Sequence, residues 1–373
     1  MNIQVSKTDR IEEFKNLINS VLQDKKVKTL FILSCDANDF KKDSVDDILK
    51  STTTPIFGGI FPAIIYGNEK LTKGTIVAGL YHKANVQIIP DLSNTDSDYE
   101  RIIEEKIPDS STTKIMFVFV DGFAKRISAF IESLFNMFGL EFNYIGGGAG
   151  SLSFKQKPCL FANDGLIQDS AILALMDLES GIGVSHGWKE ISGPYKVTKS
   201  DGNVIKTLDW KPAFQVYKEV VESHSGKIFK EDNFFDIAKG YPFGITKLEA
   251  EKIVRDPLMV VDENALQCVG EVPENSYIYV LTGDAASLIN AASNTLHLAE
   301  NDFKAESGNR TILFIDCISR ALFLEDKFND ELNAVYKKNI PLIGALTIGE
   351  IANNRKDYLE FYNKTCVIGI LED

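Results

Sequence analysis

The chain has 373 residues, with 40 basic and 53 acidic side chains that give a net charge of -13. This acidic balance argues against a nucleic-acid backbone or an anionic membrane surface as the main partner. No apolar run reaches the roughly 18 residues that a membrane span needs. The apolar fraction of 44% and the charged fraction of 25% are typical of a globular protein with ample material for a buried core.

The cysteines and the N-terminus exclude several further classes. Five cysteines lie scattered along the chain, with neither disulfide-framework nor zinc-site spacing. Residues 1–24 are amphipathic and contain acids as well as lysines, so they lack the basic start and the apolar centre of a secretory signal. We therefore expect a cytoplasmic protein with no membrane insertion, no metal and no cofactor.

One pattern recurs three times along the chain. A hydrophobic strand is followed by a helical stretch, then by a glycine turn, then by a second strand. The strand, turn and second strand lie at 29–35, 55–59 and 75–80 in the first copy, at 114–120, 144–150 and 171–176 in the second, and at 311–317, 341–345 and 366–371 in the third. Such self-similarity predicts an architecture assembled from copies of one α/β unit.

Helix signals are present in and around these copies. Residues 8–24 have an amphipathic pattern that predicts an opening helix. Residues 130–138 and 325–337 predict helices between the strand and the glycine turn of the second and third copies, whereas the equivalent helix of the first copy is short. Pro212 suits the first turn of a helix, and Asp284 suits a helix N-cap.

The region between the second and third copies has a different character. Short strand patterns between 183 and 208 surround Asp201-Gly202-Asn203, a hairpin signal. Residues 225–240 are polar and are the best candidate for a linker. We predict an N-terminal domain over 1–224, a linker over 225–240 and a C-terminal domain over 241–373. The fold class is α/β with α+β character: pseudo-symmetric mixed sheets in two halves.

The glycine run Gly146-Gly147-Gly148-Ala149-Gly150 resembles a nucleotide loop but does not meet its requirements. A dinucleotide fingerprint that starts at Gly146 needs glycine or alanine where this chain has Ser151. No Gly-Lys-Ser or Gly-Lys-Thr follows, and no helix N-terminus is offered to phosphate. Two interpretations stay open: a tight turn, or a backbone wall that faces a ligand.

Three side chains of the third copy are candidates for chemistry. Cys317 ends its strand, as Cys35 does in the first copy, and is either a small hydrophobe or a site residue. Arg320 would lie in the loop beyond, where a guanidinium can hold a carboxylate bidentately, although a surface charge is the alternative. Glu350 has apolar and glycine neighbours, so it needs a partner, either a ligand ammonium or Arg320 itself.

A nucleophilic enzyme would need a base beside Cys317. The histidines are His82, His186, His224 and His297, and none forms a recognisable local signature. The serines near 150 and 185 also miss the Gly-x-Ser-x-Gly elbow. The sequence therefore contains no positive sign of catalysis.

At these residues the chain resembles the FIST-domain sensory family over nearly its whole length. The N-terminal pattern is matched by the glycine run at 146–150, Asn163 with Gly165, His186-Gly187-Trp188, Val197-Thr198, and Pro212-Ala213 with Tyr217. The C-terminal pattern is matched by Cys317 and Arg320, Gly349-Glu350-Ile351, and Asn363-Lys364-Thr365. The chain departs from the pattern at Ser151-Leu152, where the family has an aspartate, and at Ser319, where it has a glycine.

The resemblance implies a stand-alone signal-input protein that binds an amino acid or a small carboxylate and acts on a separate transducer, such as a histidine kinase. Arginine would hold the carboxylate of a zwitterion and glutamate its ammonium. The alternatives are an enzyme with Cys317 as nucleophile and an interaction scaffold. The predicted ligand-binding residues are Gly147, Gly148, Asn163, Cys317, Arg320, Glu350 and Asn363.

Overall fold

Three structural units with the same order of elements form the body of the protein. The computed structural model describes residues 1–246, 252–305, 308–353 and 358–372. Each unit contains an edge strand, a helix, a first core strand, one or two helices, a second core strand, a hairpin and a third core strand. The fold is therefore mixed α/β, and the predicted class is confirmed.

The first two units follow one another without interruption. The elements of unit 1 are β1 (Asn2–Ser6), α1 (Ile11–Leu22), β2 (Thr29–Cys35), α2 (Lys42–Ser51), β3 (Ile56–Phe61), β4 (Ala63–Tyr66), β5 (Glu69–Leu71) and β6 (Thr75–Leu80). The elements of unit 2 are β7 (Asn85–Ile89), α3 (Tyr99–Lys106), β8 (Ile115–Asp121), α4 (Ile127–Phe138), β9 (Asn143–Ala149), β10 (Leu160–Ala162), β11 (Gly165–Ile167) and β12 (Ala171–Met176).

Unit 3 is interrupted after its edge strand, β13 (Ser180–Ser185). The inserted segment contains β14 (Lys189–Asp201), β15 (Val204–Leu208), β16 (Lys211–Pro212), α5 (Ala213–Ser225), α6 (Phe234–Ala238), β17 (Phe243–Ile245), β18 (Ile253–Arg255), β19 (Pro257–Val261), β20 (Ala265–Cys268) and β21 (Tyr277–Thr282). The unit resumes with α7 (Ala285–Asp302), β22 (Arg310–Cys317), α8 (Ile318–Leu324), α9 (Phe328–Val335), β23 (Leu342–Thr347), β24 (Glu350–Ala352), β25 (Glu360–Tyr362) and β26 (Cys366–Glu372).

Strand pairing is equivalent in the three units. The first and second core strands are parallel in the pairs β2–β3, β8–β9 and β22–β23, and the third core strand runs antiparallel to the first. The edge strands β1, β7 and β13 pair with β6, β12 and β26. The three repeats predicted from sequence are therefore three copies of one sheet core.

The hairpins are exchanged between units in cyclic order. The hairpin of unit 1 (β4–β5) pairs with β23 of unit 3, the hairpin of unit 2 (β10–β11) pairs with β3 of unit 1, and the hairpin of unit 3 (β24–β25) pairs with β9 of unit 2. Each exchange completes a six-stranded sheet. Because every sheet contains strands of two units, the three units are joined by backbone hydrogen bonds as well as by apolar packing.

The repeated glycines lie inside strands and not in the turns that the sequence predicts. Gly58, Gly146 and Gly344 occupy one register position, opposite Ile32, Val118 and Phe314 of the parallel neighbour strands. A Cβ atom at these glycines would lie 1.9, 1.8 and 2.0 Å from the carbonyl oxygens of those partners. Glycine recurs here because the neighbouring backbone is too close for any side chain.

The inserted segment of unit 3 forms a fourth sheet, in the order β18-β17-β21-β14-β15-β20-β19, with β16 paired to β15. The stretch 225–240, predicted to be a linker, includes α6 and buries Phe229 and Ile237 in the same apolar core as Val197 and Phe243. Those two residues lie on either side of the stretch in sequence. The division of the chain at 225–240 stays a prediction.

Several local predictions hold. The opening helix, the helix after Pro212 and the helices before the second and third glycine strands are all present, and the side chain of Asp284 accepts a hydrogen bond from the Ser287 amide. Arg320 lies in α8 and not in a loop. Among the helices that the structure describes, none has both the length and the apolar character needed to cross a bilayer.

Candidate functional site

Motifs that are far apart in sequence converge in the interior of unit 3. We call this set the motif cluster: His186, Trp188, Cys317, Arg320, Glu350 and Lys364. Each of these residues is buried. The cluster forms because β22 ends at Cys317, α8 follows at once, and the loop between β25 and β26 passes over both.

The guanidinium of Arg320 is fully engaged by the protein. Its Nη1 donates to the carbonyl oxygens of His186 at 2.7 Å and Lys364 at 3.5 Å. Its Nη2 donates to the Leu288 carbonyl at 3.0 Å and to the Glu331 carboxylate. Its Nε lies 3.0 Å from Oδ1 of Asp316. Nη1 and Nη2 thus donate to protein acceptors, whereas Nε is within ion-pair distance of Asp316 but forms no hydrogen bond among the described residues. The four hydrogen bonds and two carboxylates leave little of the guanidinium for a ligand carboxylate.

The charges around Arg320 form a buried triad with the carboxylates of Asp316 and Glu331. Burial alone would lower the pKa of Arg320, but Glu331 and Asp316 raise it above its ordinary value. Burial and the Glu331 charge raise the pKa of Asp316. The arrangement is an internal ion-pair network, and it differs from the Arg320–Glu350 pair that the sequence offered as one alternative.

Glu350 is held by a hydroxyl group and a backbone amide. Thr347 Oγ1 lies 3.0 Å from its Oε1, and the Thr365 amide donates to its Oε2 at 3.2 Å. Burial raises the pKa of Glu350 to about 8. A protonated Glu350 also explains why Thr347 Oγ1 lies close to two oxygen atoms. The carboxylic acid then donates its proton to Thr347 Oγ1, and the Thr347 hydroxyl donates its own proton to the Asp316 carbonyl oxygen 3.3 Å away.

Cys317 lacks the setting of a nucleophile. Its side chain is buried, and burial, followed by the neighbouring Glu350 charge, raises its thiol pKa well above the ordinary value. Reactive cysteines have lowered pKa values and partly exposed thiols. The geometry is that of a small buried side chain at the end of a strand.

The loop after β25 brings Lys364 and Asn363 into the same region. Lys364 Nζ lies 3.1 Å from Oδ2 of the buried Asp256, and its carbonyl accepts from Trp188 Nε1 at 3.1 Å. Asn363 donates from Nδ2 to the Tyr362 carbonyl, and its buried Oδ1 has no hydrogen-bond partner among the described residues. Among the seven predicted residues, Asn363 therefore retains an unused polar atom.

Gly147 and Gly148 face protein backbone. Gly147 pairs with Glu350 across β9 and β24. A Cβ at Gly148 would lie 2.1 Å from the Ile348 carbonyl oxygen, and a Cβ at Gly147 would lie 2.7 Å from that of Gly349. These glycines permit close contact between units 2 and 3. The backbone of residues 348–349 packs against them, in the place where the sequence interpretation put a ligand.

Asn163 lies away from the motif cluster and closes a strand end. Its Oδ1 accepts from the Ile56 amide at 2.9 Å, and its Nδ2 donates to the carbonyls of Thr52 and Thr54. Asn353 repeats the arrangement on Tyr144, the equivalent position of unit 2. The contacts thus favour a structural role for Asn163. A ligand contact by any of the seven residues stays a prediction.

Two adjoining cavities lie outside the cluster, and together we call them the groove. The smaller, of about 380 Å³, lies between α4, β18 and the segment 358–361. The larger, of about 720 Å³, lies between the loop after β8 and the β19–β20 face of the fourth sheet. Ser128, Glu271 and Phe361 line both. Both volumes fall in the range of small-molecule sites, and apolar side chains dominate the larger lining.

Arg255 is a buried basic residue in the lining of the smaller cavity. Only 5% of its surface is exposed. Its Nε donates to the Glu271 carbonyl at 2.9 Å, and its Nη1 donates to the carbonyls of Val254 and Phe361, each at 3.1 Å. Within the described ranges no carboxylate forms an ion pair with it. Burial lowers the pKa of Arg255 to about 10, so the guanidinium remains charged at neutral pH.

Sequence reasoning missed Arg255, because an arginine in a short strand beside Asp256-Pro257 looks like an ordinary surface charge. The groove combines segments near residues 128, 255, 271 and 361, and no pattern in the sequence joins them. Among the described residues, no group of histidine, cysteine and acidic side chains is arranged to hold a metal ion.

Comparison with known proteins agrees with the motifs. A family model of the FIST N domain matches residues 29–211, and one of the FIST C domain matches residues 213–353. FIST domains are associated with sensing and signal transduction. An uncharacterized protein of Methanocaldococcus jannaschii is 23% identical over 253 residues, which are 61% of this chain and 48% of the relative. The chain thus spans about half the length of that curated relative.

Proposed function

The chain belongs to the FIST family, and from this premise we propose that it is a sensory input protein that binds a small molecule in the groove. The ligand class is an amino acid or a related small carboxylate. The observation that supports this proposal most is a buried arginine without an ion-pair partner in the described ranges, at the base of a cavity of suitable size. An isolated buried charge is costly unless something compensates it.

The position of the groove suits a signalling role. The fourth sheet ends at β18 and the unit 2 sheet ends at β25, and Arg255 bridges these two edges through the Phe361 carbonyl. A ligand in the groove would contact both sheets. It would therefore favour one relative arrangement of the two sheets, which is the requirement for a ligand to shift a conformational equilibrium.

The signal would pass to a separate protein in the cytoplasm. A histidine kinase or another signalling protein is the class of transducer that we propose. The partner would recognise the arrangement of the fourth sheet against unit 2, because this is the part of the molecule that the ligand spans.

A thermal-shift screen of amino acids and small carboxylates tests the proposal. A ligand at 100 times its dissociation constant raises the free energy of unfolding by about 2.7 kcal/mol. Ser128→Phe places a ring where the two cavities join and should abolish the shift. Ser133→Phe, on the same helix but outside both linings, is the matched control and should leave the shift intact.

The proposal fails if no compound of either class stabilises the protein. It also fails if Ser128→Phe binds the hit as tightly as the unmodified protein does, since the ligand would then lie elsewhere. A calorimetric titration of the hit against both variants measures this difference directly.

A further inference from the structure

We infer that the groove is a site for an α-amino acid with a large apolar side chain, with its carboxylate on Arg255, its ammonium facing Glu271 and its side chain in the larger cavity. This inference rests on the proposed function and names the substrate class of the same groove. Three independent features of the groove, one for each part of the ligand, support it.

The carboxylate position follows from the hydrogen bonds of Arg255. Three carbonyl oxygens, from Glu271, Val254 and Phe361, hold Nε and Nη1. These carbonyl oxygens accept hydrogen bonds from the guanidinium, but they carry no formal negative charge to balance its positive charge. The guanidinium lines the cavity but is almost fully shielded from water. Its electrostatic attraction to an anion is therefore stronger than that of an exposed arginine. A carboxylate matches its planar geometry.

The ammonium position follows from the acids around the smaller cavity. Glu132, Glu271 and Glu360 all line it, and among the described residues Arg255 is the cation that faces them. A simple dianion would be repelled by these acids, whereas a zwitterion is attracted at both ends. Glu271 lines both cavities. It therefore lies near the α-carbon of a ligand whose carboxylate is on Arg255 and whose side chain is in the larger cavity, which is where the ammonium group is attached.

The side-chain position follows from the larger cavity. Its lining includes Phe123, Phe154, Phe235, Leu258 and Met259, and it continues from the smaller cavity past Phe361. Phe154 and Met259 are 65% and 49% exposed. Burying such apolar surface against a ligand is favourable because it removes that surface from water. Glycine and alanine would leave this cavity empty and gain none of that energy.

Calorimetric titration with a matched set of compounds tests the inference on the full chain. L-Phenylalanine, L-leucine and L-methionine should bind. 3-Phenylpropionate, which lacks the amine, phenethylamine, which lacks the carboxylate, and glycine, which lacks the side chain, should each bind at least tenfold more weakly than L-phenylalanine. Equal affinity for L-phenylalanine and phenethylamine would overturn the carboxylate assignment.

Two variants assign the ends of the ligand. Arg255→Lys retains a cation without the planar fork and should weaken L-phenylalanine binding at least tenfold. Glu271→Gln should abolish the preference for L-phenylalanine over 3-phenylpropionate while the preference over phenethylamine remains. Glu274→Gln, an exposed acid in the same loop outside both linings, should change neither. Circular dichroism confirms that each variant is folded, and Glu271→Gln tests the site even if Arg255→Lys does not fold.

The outcomes separate this inference from the proposal on which it rests. If neutral apolar compounds bind and Ser128→Phe blocks them, the groove is a ligand site but the amino-acid assignment is wrong. If no member of the set binds and a wider screen also finds no ligand, the sensory proposal itself fails.

Discussion

Two buried arginines of this protein have opposite surroundings. Arg320, in the motif cluster, has two carboxylates and three carbonyl oxygens around its guanidinium. Arg255, in the groove, has three carbonyl oxygens, no recorded ion pair in the described part of the chain, and a cavity beside it. The first charge is paired with carboxylates of the fold, and the second has no carboxylate at ion-pair distance among the described residues. The comparison leads to the proposal that the family motif forms the framework of the site, while the charge that binds the ligand is Arg255.

The largest expected effect is on the stability of the motif cluster. Arg320→Leu leaves Asp316 and Glu331 buried without their cation, and removal of one partner of a buried pair typically costs about 3–5 kcal/mol. Urea denaturation measures the loss. Arg101→Leu, whose exposed pair with Glu105 contributes roughly 0.5 kcal/mol, is the control. A loss below about 1 kcal/mol for Arg320→Leu would contradict a structural role.

The glycine strands should also respond through stability. Gly146→Ala would place a Cβ 1.8 Å from the Val118 carbonyl oxygen, and overpacking of this kind costs about 3 kcal/mol or more. Gly240→Ala, whose Cβ would lie 3.4 Å from its nearest neighbour, is the control. If Gly146→Ala is as stable as Gly240→Ala, the close approach of the parallel strands is not the reason for the repeated glycines.

The third expectation concerns pH and Glu350. Its folded pKa of about 8 lies above the ordinary value of 4.5, so between those pH values the folded protein holds a proton that the unfolded chain has lost. Stability therefore falls as pH rises from about 4.5 through about 8. Asp316 and Glu331, whose pKa values burial also raises, act in the same direction.

Glu350→Gln should remove part of this slope and raise stability above pH 8 by up to about 5 kcal/mol relative to the unmodified protein, since each pKa unit is worth about 1.4 kcal/mol. Urea denaturation between pH 5 and pH 9 measures it, and Glu105→Gln, an exposed substitution on α3, should leave the slope unchanged. An unaltered slope in Glu350→Gln would mean that Glu350 is ionised in the folded protein.

A smaller effect should separate structure from binding at Asn163. Loss of its hydrogen bonds in Asn163→Ala leaves the Ile56 amide and the Thr52 and Thr54 carbonyls without this partner, at a cost of about 1–2 kcal/mol. Asn353→Ala should give a similar loss in unit 2. Neither change should alter ligand affinity in the groove. A tenfold loss of affinity in Asn163→Ala alone would restore the ligand role that its sequence context suggests.

Local sequence signals predicted much of the architecture. Amphipathic spacing located α1, Asp284 marked the start of α7, and repeated strand–glycine patterns located the three core sheets. The exchange of hairpins could not be predicted from these local signals. The pairing of β4 with β23 joins residues nearly 280 positions apart, and local secondary-structure preferences do not determine pairing over such a separation.

The site was harder to predict for the same physical reason. Cys317, Arg320 and Glu350 do come together, because Cys317 ends β22, α8 with Arg320 follows at once, and Glu350 begins β24 of the same unit. Their partners decide the roles, however. Asp316, at the end of β22, lies four residues before Arg320 and could have been recognised. Leu288, Glu331 and the carbonyls of 186 and 364 come from other elements. Arg255 gave no local signal, since its importance depends on a cavity built from four separate segments.

Hydrogen–deuterium exchange with and without saturating L-phenylalanine tests the central claim most directly, because it locates the ligand in a single experiment. The expected result is slower exchange in α4, β18 and β25, with no change in β22, α8 and α9, which contain the Arg320 network. Protection confined to β22, α8 and α9, with α4, β18 and β25 unaffected, would place the ligand in the motif cluster and contradict the assignment of Arg255 as its anchor.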